Sequence, residues 1–243
     1  MPVFYCEIDG TQAEDMIISD MKRIIKLRVK SGGPRSPPRV VIVGAPGSGK
    51  TTLSKMIARQ FNIIHVSTTN LLNNEIAKKT SLGKIAGDAM NGGELVPDNE
   101  ITDLVISRLN EPDCKVNGWI LESYPKTEAQ LNSLMQLKQK PSLIVILQLA
   151  DNLVFERHEY KKVDPITGQT YNLKQSFDKE VLARLVANEN DRFEIVKKRL
   201  STWKAFYPKA EERIKEHKLL LNGSKTIKSL AQSIYEAIEN PID

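Results

Sequence analysis

Cysteine is scarce in this 243-residue chain: only Cys6 and Cys114 occur, with no CxxC pair and no histidine cluster beside them. A disulfide framework and a structural zinc site are therefore not indicated, and a reducing, cytoplasmic setting is expected. Long apolar runs are missing too. The longest, Leu143 to Ala150 with Gln148 inside it, is far short of the roughly 20 residues needed to cross a bilayer, so no membrane span is expected. Gly (13) and Pro (12) show no repetitive bias, and 40% hydrophobic with 27% charged residues excludes wholesale disorder. The basic excess is only +5, which suits phosphate-bearing small molecules and is too thin for a nucleic-acid partner. The first residues lack the apolar stretch of a signal peptide, and Glu7, Asp9, Glu14, Asp15 and Asp20 precede the first arginine. That contradicts the acid-poor rule for transit peptides, so residues 1–38 read as mature chain.

What is there divides at about residue 38. Ala13, Met16, Ile17, Met21, Ile24 and Ile25 recur at helical spacing and predict an amphipathic helix over 13–28. Ser31, Gly32, Gly33, Pro34, Pro37 and Pro38 then predict a linker over 31–38. Two arrangements stay open for the helix: docked on the following domain, or free as an arm for a protein partner. Beyond it, short apolar runs at 39–44, 63–66, 118–121, 143–149 and 217–221 read as strands buried on both faces. Helical stretches are expected near 49–60, 98–110, 127–138, 178–206 and 225–239. Such alternation predicts an α/β fold, a five-stranded parallel sheet with helices on both faces.

Gly44-Ala-Pro-Gly-Ser-Gly-Lys50-Thr51 follows the first strand and opens a helix, the context in which G-x-x-x-x-G-K-[ST] is a phosphate loop. The glycines let backbone N–H groups turn inward around phosphate oxygens, and the helix N-terminus adds a positive dipole. Lys50 can bridge the β- and γ-phosphates of a nucleotide, and the Thr51 hydroxyl is placed to meet Mg²⁺. No NKxD guanine-reading motif appears, and no DxxG follows a strand, which disfavours a GTPase.

Several ordered blocks over about 39–240 resemble the adenylate kinase family of nucleoside monophosphate kinases. They are GAPGSGKTT at 44–52, His65-Val-Ser-Thr68, SLGKIAGDAMNGGELVPD at 81–98, GWILESYPKTEAQ at 118–130, KKVDPITGQTY at 161–171, Lys198-Arg199-Leu200 and Asn222-Gly223-Ser224-Lys225. The resemblance implies reversible transfer of the γ-phosphoryl of Mg·ATP to AMP, under an NMP-binding insertion at about 67–97 and a lid at about 161–177. By motif position it assigns the ATP phosphates to Gly47, Ser48, Gly49, Lys50, Thr51 and Thr52. Arg157, Thr170, Tyr171 and Lys225 are placed near ATP, and Arg199 near the transferring group. Acceptor binding falls to Thr68, Asn73, Lys126 and Gln130 with the backbone of Glu94, Leu95 and Val96. Thr51, and Glu122 through water, would hold Mg²⁺.

Several positions depart from the family pattern. Asn70 stands where the family has Asp, Asn73 and Asn188 where it has phosphate-gripping arginines, Asn190 for the first of two aspartates, and Lys126 and Lys162 for two more arginines. Lysine keeps the charge without the bidentate fork, and asparagine loses both. Unless Arg184, Arg192 or a nearby lysine substitutes, a slow kinase with weak AMP affinity is expected. Two alternatives accompany it: a catalytically weak nucleotide-binding or structural protein on the same fold, or a kinase of another monophosphate or donor. The first is motivated also by the closing segment Glu239–Ile242, which resembles divergent cilium-associated members. Taken singly, Thr68 would pass for a helix cap and Gln130 for a solvated helix residue. Pro97-Asp98 reads as turn chemistry before a helix, Gly168 as the turn of the lid hairpin, and His65, His158 and His217 receive no catalytic role.

Overall fold

The computed structural model describes residues 8, 11–29, 36–174, 178–214 and 217–240, with the backbone alone for 22–29. Eleven helices and seven strands alternate along these residues: α1 Glu14–Val29, β1 Arg39–Gly44, α2 Lys50–Phe61, β2 Ile64–Ser67, α3 Thr68–Ala77, α4 Ser81–Asn91, α5 Asp98–Leu109, α6 Pro112–Asn117, β3 Trp119–Glu122, α7 Glu128–Met135, β4 Leu143–Gln148, α8 Asp151–Glu159, β5 Lys161–Val163, β6 Thr170–Asn172, α9 Lys179–Arg184, α10 Phe193–Arg213, β7 Lys218–Asn222 and α11 Ile227–Glu239. A short 3-10 turn, Glu189–Asp191, precedes α10.

Five strands form one parallel sheet in the order β2-β3-β1-β4-β7, the α/β architecture expected from the sequence. β1 lies at its centre because its four middle residues, Val40–Val43, are all apolar and all buried, as a strand covered on both faces requires. Alternate residues serve opposite cores. Val41, Val43, Leu121, Ile144 and Ile146 pack with Val105, Leu131, Leu134 and Phe206. Val40, Ile42, Ile120, Val145 and Leu147 meet Leu53, Ile57, Leu230 and Ile234 from α2 and α11. The buried side of α11, Leu230, Ala231, Ile234 and Ile238, keeps helical spacing behind an N-cap in which Thr226 accepts from the Ser229 N–H.

Four differences from the sequence reading have local causes. The helix expected over 178–206 is broken between α9 and α10. Val186 exchanges both backbone hydrogen bonds with Val163, each 2.9 Å, and the Asn188 side chain accepts the Asn190 N–H, so the backbone groups a continuous helix needs are already engaged. The helix expected to run to 138 ends at Met135. Helices α3, α4, α6 and α8 stand where periodicity gave no expectation. Of the stretch expected as linker, 31–35 lie outside the described residues, but Pro38 is buried and its carbonyl accepts the Trp119 N–H at 2.9 Å, extending the β1–β3 ladder. Of the apolar positions of α1 that can be described, Met16, Ile18 and Met21 are exposed and Ile17 is half-buried. Among the described residues no helix is long and apolar enough to cross a membrane.

Candidate active site

The carboxyl ends of the central strands surround a cavity of about 520 Å³, where a parallel sheet places ligands. Its floor is the turn between β1 and α2. Gly47 and Gly49 have φ +70° and +91°, left-handed values that L side chains resist, and α2 starts directly after them at Lys50. Lys50 Nζ donates to the carbonyls of Gly44 and Ala45, both at 2.8 Å, and lines the cavity. Burial pushes its pKa down to about 8, against the opposing attraction of Glu122.

Glu122 ends β3 beside this loop and is 4% exposed. Thr51 Oγ1 donates to its Oε1, and His65 Nε2 lies 2.7 Å from its Oε2. A carboxylate only accepts, so that histidine nitrogen carries the proton. Burial alone would raise the Glu122 pKa, but the hydrogen bonds from His65 and Thr51 and the charge of Lys50 bring it below its ordinary value. The carboxylate is ionised at neutral pH, with Oε1 turned to the Thr51 hydroxyl and Oε2 to His65. Hard oxygen donors of this kind suit Mg²⁺, which keeps several waters and takes few protein ligands. Among the described residues no cluster of three or more His, Cys, Asp or Glu could hold a metal unaided.

The opposite wall is built by the α3–α4 pair and the starts of α5 and α7. The pair is tight: a Cβ on Gly83 would fall 2.2 Å from the Glu75 carbonyl oxygen. Ser67, not Thr68, caps α3, leaving Thr68 Oγ1 to reach the carbonyls of Glu122 and Ser123 at 3.2 and 3.3 Å. Gln130, one turn into α7, is 2% exposed. Its Oε1 accepts the Lys126 N–H at 2.7 Å and its Nε2 donates to Asp98 Oδ1 at 2.7 Å. Thr68, Asn73, Glu94, Leu95, Val96, Lys126 and Gln130 all line the cavity with Lys50, Thr51 and Glu122. Lys126 stands open to the cavity, yet the surrounding protein displaces enough water, with the charge of Arg199 adding, to push its pKa down to about 8.

Arg199 enters from α10. Its Nη2 donates to Asn190 Oδ1 at 2.9 Å and to the Met90 carbonyl at 3.3 Å, while Nη1 donates to the Asn190 carbonyl at 3.1 Å. It thus joins the end of α4 to the 3-10 turn. Lys198 adds contacts with Glu94 Oε1 at 2.7 Å and the Gly92 carbonyl at 3.2 Å.

Some expected residues stand elsewhere. Arg157 is not on the cavity wall: its guanidinium donates to the carbonyls of Gly47, 3.0 Å, and Gly223, 2.8 Å, bracing the phosphate loop against the β7–α11 turn. Lys162 is also off the wall, and Lys161 is on it, paired with Asp191 at 2.9 Å. Successive strand residues face opposite ways, so of the two lysines in β5 only one can face the cavity; motif matching chose the other. Ser48, Gly49, Thr52, Thr170, Tyr171 and Lys225 do not line the cavity either. Neither arginine considered as a substitute reaches it. Arg184 donates to Asp164 Oδ2 at 2.8 and 3.0 Å within the β5–β6 hairpin region, and Arg192 pairs with Glu189. Sequence reasoning missed His65, His158, Lys161 and Asp191, all but His65 on the cavity wall. The signal for His65 was available in its register: it pairs with Ile120 in the ladder that brings Ser67 beside Glu122.

The family model for adenylate kinase matches residues 42–215. The chain belongs to the adenylate kinase family. It is 34% identical over 207 residues to "Adenylate kinase, chloroplastic" of Zea mays, covering 83% of this chain and 92% of the relative. It is 38% identical over 168 residues to "Probable adenylate kinase 2, chloroplastic" of Oryza sativa subsp. japonica, covering 68% and 58%. An "Adenylate kinase" of Francisella tularensis subsp. novicida is 31% identical over 216 residues, covering 82% and 98%. Membership makes the chain a phosphotransferase of the nucleoside monophosphate kinase type, and the five-stranded sheet is that family's fold.

Proposed function

We propose that the chain transfers the γ-phosphoryl of Mg·ATP to AMP, giving two ADP, and that it does so more slowly than a family member with a complete arginine set. The observation that carries this reading is that Lys50, Thr51 and Glu122 share one cavity with Thr68, Lys126 and Gln130, so a phosphate-binding half faces a base-and-phosphate half. An acceptor α-phosphate oxygen bonds to Pγ as the bond from Pγ to the β–γ bridging oxygen breaks. The chain holds the two ends in line and offsets the charge with Lys50, Arg199, Lys126 and Lys161; no covalent intermediate on the protein is required. Thr51 and, through water, the Glu122 carboxylate would hold the Mg²⁺ that accompanies ATP, which would supply neutralisation of phosphate charge there. Residues 67–97 act as the acceptor flap, and the β5–β6 hairpin within 161–177 as the lid that excludes water; 175–177 lie outside the described residues. Arg157 contributes by holding the phosphate loop in shape. Buried Cys114, a free thiol, fits a reducing compartment such as the cytoplasm.

The slower rate follows from Asn73 and Asn188, which line the cavity without offering a charge to the acceptor phosphate. The same observation favours a second reading, a nucleotide-binding protein with little turnover. Steady-state ADP formation from Mg·ATP with AMP, UMP, CMP or GMP, alongside calorimetric ATP binding, separates the cases. AMP is expected to be the best acceptor. Use of another monophosphate with AMP idle overturns the acceptor assignment, and ATP binding without turnover favours the second reading.

A further inference from the structure

Asp98 was expected to serve the turn before α5, and it does begin that helix. Its carboxylate also does something a turn does not need. Oδ2 accepts from Thr127 Oγ1 at 2.9 Å and Oδ1 accepts from Gln130 Nε2 at 2.7 Å. Asp98 itself is half-buried and off the cavity wall, whereas Gln130 is on it. On the amide's other side the Lys126 backbone N–H donates to Oε1. A carboxylate can only accept and a backbone N–H can only donate, so these two partners fix which end of the amide is nitrogen. Each amide end then keeps one unused capacity: a single N–H on Nε2 and a single lone pair on Oε1. The main chain beneath is held as well, because Tyr124 Oη, itself 3.0 Å from Thr102 Oγ1, donates to the Gln130 carbonyl at 3.2 Å.

We propose that Asp98 is a positioning residue that sets acceptor-base specificity by locking the Gln130 amide one way round. The inference rests on the reading that the acceptor's base lies against Gln130. A 6-aminopurine presents an acceptor, N1, beside a donor, the exocyclic amino group. A 6-oxopurine presents a donor, N1–H, beside an acceptor, O6. An amide held in one sense pairs with one of these edges and meets the other donor to donor and acceptor to acceptor, leaving buried polar groups unpaired. An amide free to turn over accommodates both.

The test compares kcat/KM for AMP and for IMP, which differ at that edge alone, in wild type, Asp98→Ala, Asp98→Asn and Thr127→Val, each checked for folding by circular dichroism and thermal melting. Wild type is expected to favour AMP. Asp98→Ala is expected to lower the AMP:IMP ratio by about tenfold, the size of one lost hydrogen bond to a charged group, mostly through KM for the monophosphate and with KM for ATP little changed. Asp98→Asn, which can still accept through its own carbonyl oxygen but without the charge, is expected to lower the ratio by about threefold, less than Asp98→Ala. Thr127→Val disturbs the cap of α7 but leaves the Asp98–Gln130 bond, and keeps the ratio. A merely structural role for Asp98 would slow both acceptors equally; an unchanged ratio in folded Asp98→Ala overturns the inference. Where that variant does not fold, the ratio is read on Asp98→Asn, for which a fall of about threefold supports the inference and no change overturns it. A wild type that uses AMP and IMP equally overturns the Asp98 inference and leaves the phosphotransfer reading standing. A wild type that neither binds nor uses AMP overturns both.

Discussion

The two halves of the cavity are made differently. The donor half is one contiguous turn, 44–51, whose shape is set by left-handed glycines and whose lysine bonds to carbonyls a few residues away. The half read as the acceptor side draws single side chains from α3, the start of α7, the turn before α10, and α10 itself, and Asn73, Asn188 and Lys126 line it where the resemblance implies arginines. A site formed by backbone N–H groups tolerates little change in its residues, because the conformation is the function. A site formed by long side chains on separate elements can lose one charge at a time while the fold stands. On the proposed function, the comparison makes binding of ATP and efficiency toward the acceptor separable.

Four substitutions bear on that separation. The largest effect is expected for Lys50→Ala, which should lower turnover by about 10³ or more with circular dichroism unchanged; near-normal turnover in a folded variant would remove Lys50 from the mechanism. Arg199→Ala should cost about 10² in kcat, since it removes a cation beside Lys126 together with the tie between Met90 and Asn190. Its KM for ATP should move far less, and equal loss in both would blur the division between the halves. Asn73→Arg restores a forked phosphate ligand and should tighten AMP about tenfold by calorimetry, while ATP affinity stays put; unchanged or weaker AMP binding argues against Asn73 as a phosphate contact.

The smallest effect concerns pH. With its pKa lowered to about 8, Lys126 is charged below that value and loses its charge as pH rises through it. At saturating Mg·ATP, where bound phosphates keep Lys50 protonated, kcat/KM for AMP should be level below about pH 8 and fall above it. Lys126→Arg stays charged throughout this range and should extend the plateau, for a gain of a few-fold at pH 9. An alkaline limb that is identical in the variant assigns the titration to another group.

The same contrast explains how much could be read from the sequence. The sheet was legible because β1 and β4 are unbroken buried apolar runs, and the phosphate loop because its chemistry is local. The cavity-facing member of the Lys161–Lys162 pair was not, since it depends on the side to which a three-residue strand turns. Nor was the break before α10, which arises from the long-range pairing of Val186 with Val163. Motif position placed Arg157 near ATP; in the fold its partners are the carbonyls of Gly47 and Gly223, whose nearness only the folded chain creates.

That last contact carries a consequence for order of synthesis. The phosphate loop is encoded in eight consecutive residues, yet Arg157 secures it to Gly223, in the turn after the strand that is made last of the five in the sheet. A nascent chain that has completed β1, β3 and β4 can hold its glycines in sequence without holding them in place. The segment with the most self-contained code thus receives one of its ties, Arg157 to Gly223, only when the turn after β7 has been made.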